Sequence, residues 1–194
     1  MRGLTIATAC WIACGFLLAF RQSTSAQEGS GSSRSSPQRA TRPMTPDEFY
    51  QSFWKHLNKQ ENPYKKWGSL PGRKDIRAGT TPHGEFLRIY ANKIAIDDPK
   101  GLPYGSILVT ENYGADQETL KDITVMYRSK GAAPQQGDWY WLKYQPDGTI
   151  ARTPEKEGKK AIAGKVTSCI ECHSKAGGKD LVYSNDPEKE ANEK

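Results

Sequence analysis

The hydrophobic pattern of the chain changes from a helical period to a strand period at about residue 85. Large apolar residues first recur at helical spacing, at Phe49, Phe53, Trp54 and Leu57. They follow Thr45-Pro46-Asp47-Glu48, where threonine can cap a helix, proline suits its first turn and glutamate can reach back to the cap amide. The sequence therefore predicts a helix at this point that buries its apolar stripe and ends before Asn62-Pro63.

Four strand-like segments come after this helix. Each is rich in β-branched or aromatic residues and is bounded by turn residues, and together they cover residues 85–91, 105–113, 122–128 and 139–144. The connections between them are short, which favours antiparallel pairing over crossover helices. The predicted fold class is α+β, a predominantly antiparallel β-sheet with a few helices.

The composition of the two ends differs from that of the middle. Residues 1–26 consist of a basic start, an apolar run and a small polar stretch, which is typical of a secretory signal peptide, with a retained membrane anchor as the alternative. Residues 27–44 are rich in Ser, Gly, Arg, Gln and Pro and indicate a disordered tether. Residues 187–194 form a charged tail, so residues 45–186 remain as the folded domain, and the protein is expected to be exported, for example to a periplasm.

The net charge of +6 comes mostly from the N-terminal segments. Five of the 28 basic residues and one of the 22 acidic residues precede residue 45, so residues 45–194 carry a net charge of +2. A dense basic face is therefore not expected in the folded domain, and nucleic-acid binding has little support.

The motif Cys169-Ile170-Glu171-Cys172-His173 is the attachment signature of c-type haem. Two cysteines on one helical turn can present both sulfurs to one edge of the porphyrin, each forming a thioether, and His173 then falls under the iron as its axial ligand. Export agrees with this interpretation, because haem is attached to such motifs outside the cytoplasm. The sequence thus predicts one covalent haem c, with His173 as the iron ligand.

Three other interpretations of the cysteine pair are weaker. A zinc site would need two more ligands, and only His56 and His83 remain as nitrogen donors. A thioredoxin-like redox pair would need a βαβ context and gives His173 no role. A disulfide between Cys169 and Cys172 would be strained and would close almost no loop.

The sixth position of the iron has no compelling donor in the sequence. The candidates are Met44 in the tether, Met126 in an apolar strand, His56 on the first helix and His83 in a loop. An open sixth position is therefore expected, and an open position binds small molecules or does chemistry.

Several segments occur in the order typical of one protein family. They are Pro82-His83-Gly84, residues 88–92, 103–109, 123–126 and 137–141, Asp147-Gly148, the cysteine motif and residues 180–183. Over about residues 67–183 the chain resembles the cytochrome P-460 family, which includes the gas-binding cytochrome c′-beta proteins. The resemblance implies a sheet-rich fold and a five-coordinate haem with His173 as the proximal ligand.

The resemblance also implies roles for residues near the haem. Hydroxylamine-oxidising members carry a lysine joined to the porphyrin edge, and the matching segment here is Val109-Thr110-Glu111, which puts Thr110 in its place. A small shift of the alignment would instead place Lys93 or Lys121 at the position of this lysine. The catalytic candidates are Arg88 as a pocket arginine, with Glu111 or Asp138 as the distal carboxylate, and each of the three could equally be a surface or strand-end residue.

The expected function is an exported monohaem c-type cytochrome that binds, and as an enzyme would oxidise, hydroxylamine or nitric oxide. Two alternatives stay open: a non-catalytic nitric-oxide-binding protein similar to cytochrome c′-beta, and a simple electron carrier. The expected partners are the small nitrogenous ligand and a soluble redox protein, and the resemblance makes a homodimer plausible.

Overall fold

The structure is a computed structural model that describes residues 42–176 and 180–183. The predicted signal peptide, the predicted tether up to residue 41 and the predicted charged tail lie outside the described residues. Among the described residues, none of the helices is both long and apolar enough to cross a membrane.

Helix α1, Pro46–Leu57, begins with the capping box that the sequence predicts. The backbone N–H of Glu48 donates to Thr45 Oγ1 at 3.3 Å, and the backbone N–H of Thr45 donates to Glu48 Oε2 at 2.8 Å. Two N–H groups that the first turn would leave without partners are thereby paired. Phe53 and Leu57 are buried as predicted, together with Tyr50.

Six strands form one antiparallel sheet in which the spatial order equals the chain order. The strands are β1 (Arg77–Ala78), β2 (Phe86–Ala91), β3 (Ile107–Tyr113), β4 (Leu120–Arg128), β5 (Trp139–Tyr144) and β6 (Ala163–Gly164). Two short α-helices, α2 (Lys93–Asp97) and α3 (Thr167–His173), and three 3₁₀ helices of three residues each complete the described elements. The predicted α+β class and the antiparallel pairing are confirmed.

The two faces of the sheet belong to two different cores. Alternate residues of a strand point to opposite faces. On one face, Val109 of β3, Val125 of β4 and Tyr144 of β5 pack with Tyr50, Phe53 and Leu57 of α1. On the other face, Leu108, Met126 and Trp141 pack with Val182 and with the apolar side of α3. The sheet therefore separates the α1 core from the C-terminal cysteine motif.

The capping box gives a first test of the fold. Thr45→Ala removes one side of the box and is expected to lower the free energy of unfolding by about 1 kcal/mol. Ser52→Ala, at an exposed site on the same helix, is the control and should change the free energy by less than about 0.5 kcal/mol. Urea denaturation of the haem-loaded protein measures both, and equal effects of the two variants would contradict a role for the box.

Candidate haem-binding site

A cavity of about 750 Å³ lies on the face of the sheet opposite α1. Its wall includes Leu108 and Thr110 from β3, Thr124 and Met126 from β4, and Trp141 and Lys143 from β5. Each pair is two positions apart on its strand, so the period of the sheet aims all six side chains the same way. The volume falls in the range of about 300–1,000 Å³ that is typical of cofactor and ligand sites.

Helix α3 brings the cysteine motif to this cavity. Cys169, Cys172 and His173 all line it, and both cysteines are free thiols. Burial raises the pKa of the Cys169 thiol, so this sulfur stays protonated at neutral pH. The motif residues that the sequence assigns to haem thus meet in one place.

The residues 180–183 hold His173 in a defined orientation. His173 Nδ1 lies 2.7 Å from the carbonyl oxygen of Leu181. A carbonyl only accepts, so Nδ1 carries the proton and Nε2 keeps its lone pair. Burial also lowers the pKa of the His173 imidazole. A neutral imidazole whose other nitrogen is tied to a backbone carbonyl is the form that binds a metal.

Two further hydrogen bonds attach residues 180–183 to the rest of the site. The fully buried Trp139 donates from Nε1 to the carbonyl oxygen of Asp180 at 2.6 Å. The hydroxyl of Tyr183 donates to the carbonyl oxygen of Cys172 at 2.8 Å, and its ring centroid lies 5.4 Å from that of His173. The segment therefore connects β5 to the last turn of α3.

His83 reaches the same cavity from the loop before β2. Its Nδ1 lies 3.1 Å from Asn112 Oδ1, and its ring centroid is 6.2 Å from that of His173, with 66° between the planes. Burial lowers the pKa of the His83 imidazole, so it too is neutral at physiological pH. The structure thus adds a second histidine to the site, one that the sequence named among the candidate donors for the sixth position without favouring it.

The charges in the cavity wall suit the group that the motif predicts. Arg73, Arg77 and Lys143 line the cavity, and the described lining contains no Asp or Glu. Haem carries two propionate carboxylates, which such cations can bind. The indole nitrogen of Trp141 is buried and has no hydrogen-bond partner among the described residues, although it belongs to the same wall. Together with the two thiols, these residues fit a c-type haem.

Thr110 lies in the cavity wall, where the resemblance predicts it in place of a lysine. Lys93 pairs with Asp97 on α2 at 2.7 Å, and neither Lys93 nor Lys121 lines the cavity. Of the three positions, only Thr110 lines the cavity, and its assignment in place of the lysine stays a prediction.

None of the three residues predicted to be catalytic lines the cavity. Arg88 is exposed on β2 and is the register partner of Glu111 on β3. Asp138, just before β5, accepts a hydrogen bond from the Tyr104 hydroxyl at 2.8 Å, which lowers the pKa of its carboxyl. The structure brings neither of them to Cys169, Cys172 and His173, so their catalytic role remains a prediction without geometric support.

Glu111 is buried on the α1 side of the sheet in a cluster of hydroxyl groups. It accepts hydrogen bonds from Tyr64 at 2.8 Å, Tyr90 at 2.9 Å and Tyr113 at 2.6 Å, and it pairs with Lys65 at 3.0 Å. Burial alone would raise the pKa of this carboxyl, but the hydrogen bonds outweigh it and the pKa is lowered. Glu111 is therefore a stable buried anion, with a structural role in this geometry.

Two residues of the site gave no signal in the sequence. Lys143 in the cavity wall and Asn112 beside His83 could be assigned to the site only once the strand register and the face of each strand were known. Among the described residues, no group of three or more His, Cys, Asp or Glu is placed to hold a metal ion by itself. The zinc alternative gains no support within that part of the chain.

The motif helix, its cavity and the neutral His173 define the class of the molecule as a c-type haem protein. A sequence model of the family Cytochrome P460 matches residues 48–184, which is more than half of the chain. The chain therefore belongs to the cytochrome P460 family, and haem c binding follows from this membership. A comparison with curated proteins found no match.

The cysteine pair is tested by removing both thiols. In a Cys169→Ala, Cys172→Ala variant no thioether can form, so haem is expected to separate from the polypeptide under denaturing conditions. Haem staining of a denaturing gel measures this, with Glu171→Gln, an exposed residue inside the same motif, as the control that keeps its stain. Retention of the stain by the double variant would contradict attachment through this motif.

The role of Glu111 is tested by Glu111→Gln. Because the folded pKa lies below the unfolded value of about 4.5, the carboxylate stabilises the fold above that value, and this contribution is lost as the pH falls through the folded pKa. We expect a loss of about 1–3 kcal/mol at neutral pH, and a smaller loss well below pH 4.5. Urea unfolding measures it, with the exposed Glu118→Gln as control.

The same variant also tests the placement of Glu111 outside the cavity. The absorption spectrum of the bound haem should be unchanged in Glu111→Gln, since the side chain lies on the opposite face of the sheet. A shifted spectrum would contradict that placement.

Proposed function

We propose that the protein is an exported monohaem c-type cytochrome that binds nitric oxide, or a similarly small nitrogen species, at its iron. The observation that carries the proposal is the composition of the cavity wall. The described lining holds apolar side chains, hydroxyls, cations and the His83 imidazole, with no carboxylate and with Thr110 at the expected lysine position. Such a wall can enclose a small neutral ligand.

Oxidation of hydroxylamine requires more functional groups in the site than ligand binding does. The oxidation releases protons as well as electrons, so a base must lie close to the bound substrate. The three residues predicted for the distal machinery, Arg88, Glu111 and Asp138, lie outside the described lining, and Glu111 already accepts three hydroxyl hydrogen bonds. The described lining still holds one base, the His83 imidazole, so the case for ligand binding over this oxidation rests on the missing carboxylate and on Thr110.

Thr110 favours the same choice. A threonine hydroxyl offers no amine to form the additional bond to the porphyrin edge that the resemblance describes in oxidising members. The haem is then attached by Cys169 and Cys172 alone, with His173 as the proximal ligand. When bound, the haem supplies a redox-active iron that can take up a small ligand.

Export is part of the proposal. It is supported by the signal-like pattern of residues 1–26 and by the need to attach haem to the motif outside the cytoplasm. A soluble redox partner is proposed to set the oxidation state of the iron. A homodimer rests on the resemblance.

Electron transfer is a second candidate function, and one observation favours it. His83 lies 6.2 Å from His173, ring centroid to ring centroid, so a second nitrogen donor stands close to the iron position. An electron carrier needs both axial positions of its iron filled by the protein.

Ligand binding and haem peptide mapping test the proposal together. The reduced haem protein is expected to bind nitric oxide with a shift of its main absorption band, and the oxidised protein should not consume an artificial oxidant when hydroxylamine is added. After proteolysis, haem should be found only on the peptide that contains Cys169 and Cys172, as measured by mass spectrometry.

Two results would contradict the proposal. Haem-dependent turnover of hydroxylamine, together with a lysine peptide joined to haem, would restore the oxidising enzyme. A reduced protein that does not bind nitric oxide would leave electron transfer as the function.

A further inference from the structure

The hydrogen bonds of His83 fix which of its nitrogens is free. Asn112 is fully buried, and its Nδ2 donates to Asp122 Oδ1 at 2.7 Å. A carboxylate only accepts, so the amide nitrogen of Asn112 must face Asp122 and its oxygen must face His83. His83 Nδ1, 3.1 Å from that oxygen, is therefore the protonated nitrogen. Nε2 of His83 is left with an unshared electron pair.

A hydrogen bond and an ion pair on the far side of Asn112 from His83 keep this arrangement in place. Asp122 Oδ2 pairs with Lys143 Nζ at 2.8 Å, so the carboxylate is held between the amide and the ammonium group. Asn112 and Asp122 are also register partners on β3 and β4, so the sheet itself sets the distance between them. The orientation of the His83 ring is thus determined by two adjacent strands.

His83 and His173 have the same protonation pattern and line the same cavity. Each donates from Nδ1 to a protein oxygen, one to Asn112 and the other to the Leu181 carbonyl. Neither Nε2 then carries a proton, so the two rings cannot hydrogen-bond to one another through these atoms. A Lewis acid between them could accept both electron pairs.

The separation of the rings suits such a shared metal. Two imidazole nitrogens held at about 2.0–2.1 Å on opposite sides of one metal ion place their ring centroids about 6 Å apart. The observed separation is 6.2 Å. The CxxCH motif puts the haem iron at His173, which is one of these two rings.

We propose that His83 is the second axial ligand of the haem iron in the resting protein, so that a small ligand binds only after His83 has dissociated. Asn112 is the positioning residue for the His83 ring. Binding then breaks one bond from iron to His83 Nε2 and forms one bond from iron to the incoming ligand, with no change in the number of electrons. This replaces the open sixth position that the sequence and the resemblance led us to expect.

The proposal rests on the proposed function in one respect, the identity of the ligand that displaces His83. The coordination of the resting iron does not depend on that ligand. The two proposals can therefore fail separately, since the spin state tests His83 and nitric oxide binding tests the function.

The spin state of the oxidised, haem-loaded full chain is the primary measurement. Electron paramagnetic resonance and absorption spectra should show low-spin, six-coordinate iron in the natural protein and high-spin iron in His83→Ala. Added imidazole should return His83→Ala to the low-spin form, which shows that the variant is folded and that its iron is accessible. His56→Ala, which changes an exposed histidine on α1, should keep the spectrum of the natural protein.

Ligand kinetics test the displacement step. With carbon monoxide as the probe, the binding rate of the reduced natural protein should reach a plateau at high concentration, because dissociation of His83 becomes limiting. In His83→Ala the rate should rise linearly with concentration. If His83 occupies the iron in about nine tenths of the molecules, its removal raises the apparent affinity about tenfold.

Asn112→Ser tests the positioning role through the same spectra. The variant keeps His83 but loses the amide that holds its ring, so a mixture of low-spin and high-spin iron is expected. A spectrum equal to that of the natural protein would show that Asn112 does not position the ring.

Three results would overturn the assignment of His83. One is high-spin iron in the resting natural protein, and another is a low-spin spectrum that persists in His83→Ala. The third is loss of the low-spin form in Met126→Leu, which would give the axial position to the thioether in the cavity wall. If the resting iron is low-spin through His83 and neither protein binds nitric oxide, His83 is confirmed as the ligand and the proposed function fails.

Discussion

The alternation of side chains across the central strands is the constraint on which the rest of the structure depends. Each of β3, β4 and β5 contributes side chains to both cores of the protein, because successive residues point to opposite faces of the sheet. Thr110 and Glu111 are neighbours in the chain, yet one lines the cavity and the other is held by tyrosine hydroxyls on the α1 side. A shift of one residue in register would exchange these two environments and place a buried anion beside the haem.

Much of the fold could be predicted because its signals are local. The capping box fixes the start of α1, and runs of β-branched and aromatic residues mark β2 to β5 to within two residues at each end. The strands β1 and β6 have two residues each, too few for any period, and α2 has only five, so these elements form through tertiary contacts. The cysteine motif was equally local, since its three functional residues lie within five positions.

The distal part of the site was harder to predict because it depends on which face of each strand meets the cavity. Arg88, Glu111 and Asp138 were candidates because the resemblance implies a pocket arginine and a distal carboxylate. A match in sequence does not show which face of the sheet a side chain lies on. The sequence named His83 as a candidate iron ligand but could not show its tautomer. The tautomer depends on Asn112 and Asp122, which become partners only through the register of β3 and β4. Such a relay has no sequence signal.

The strand order of the sheet has a consequence for how the molecule is assembled. Every strand pairs with its neighbour in the chain, so the sheet can form progressively from β1 to β6 without waiting for distant segments. The haem motif begins only after β6 ends at Gly164. A chain that emerges from its amino end therefore completes the strands of the wall before the two thiols arrive. The seven-residue α3, too short to be stable alone, and residues 180–183 are the last parts to pack. Covalent attachment of the cofactor then fixes α3 against a sheet that has already formed.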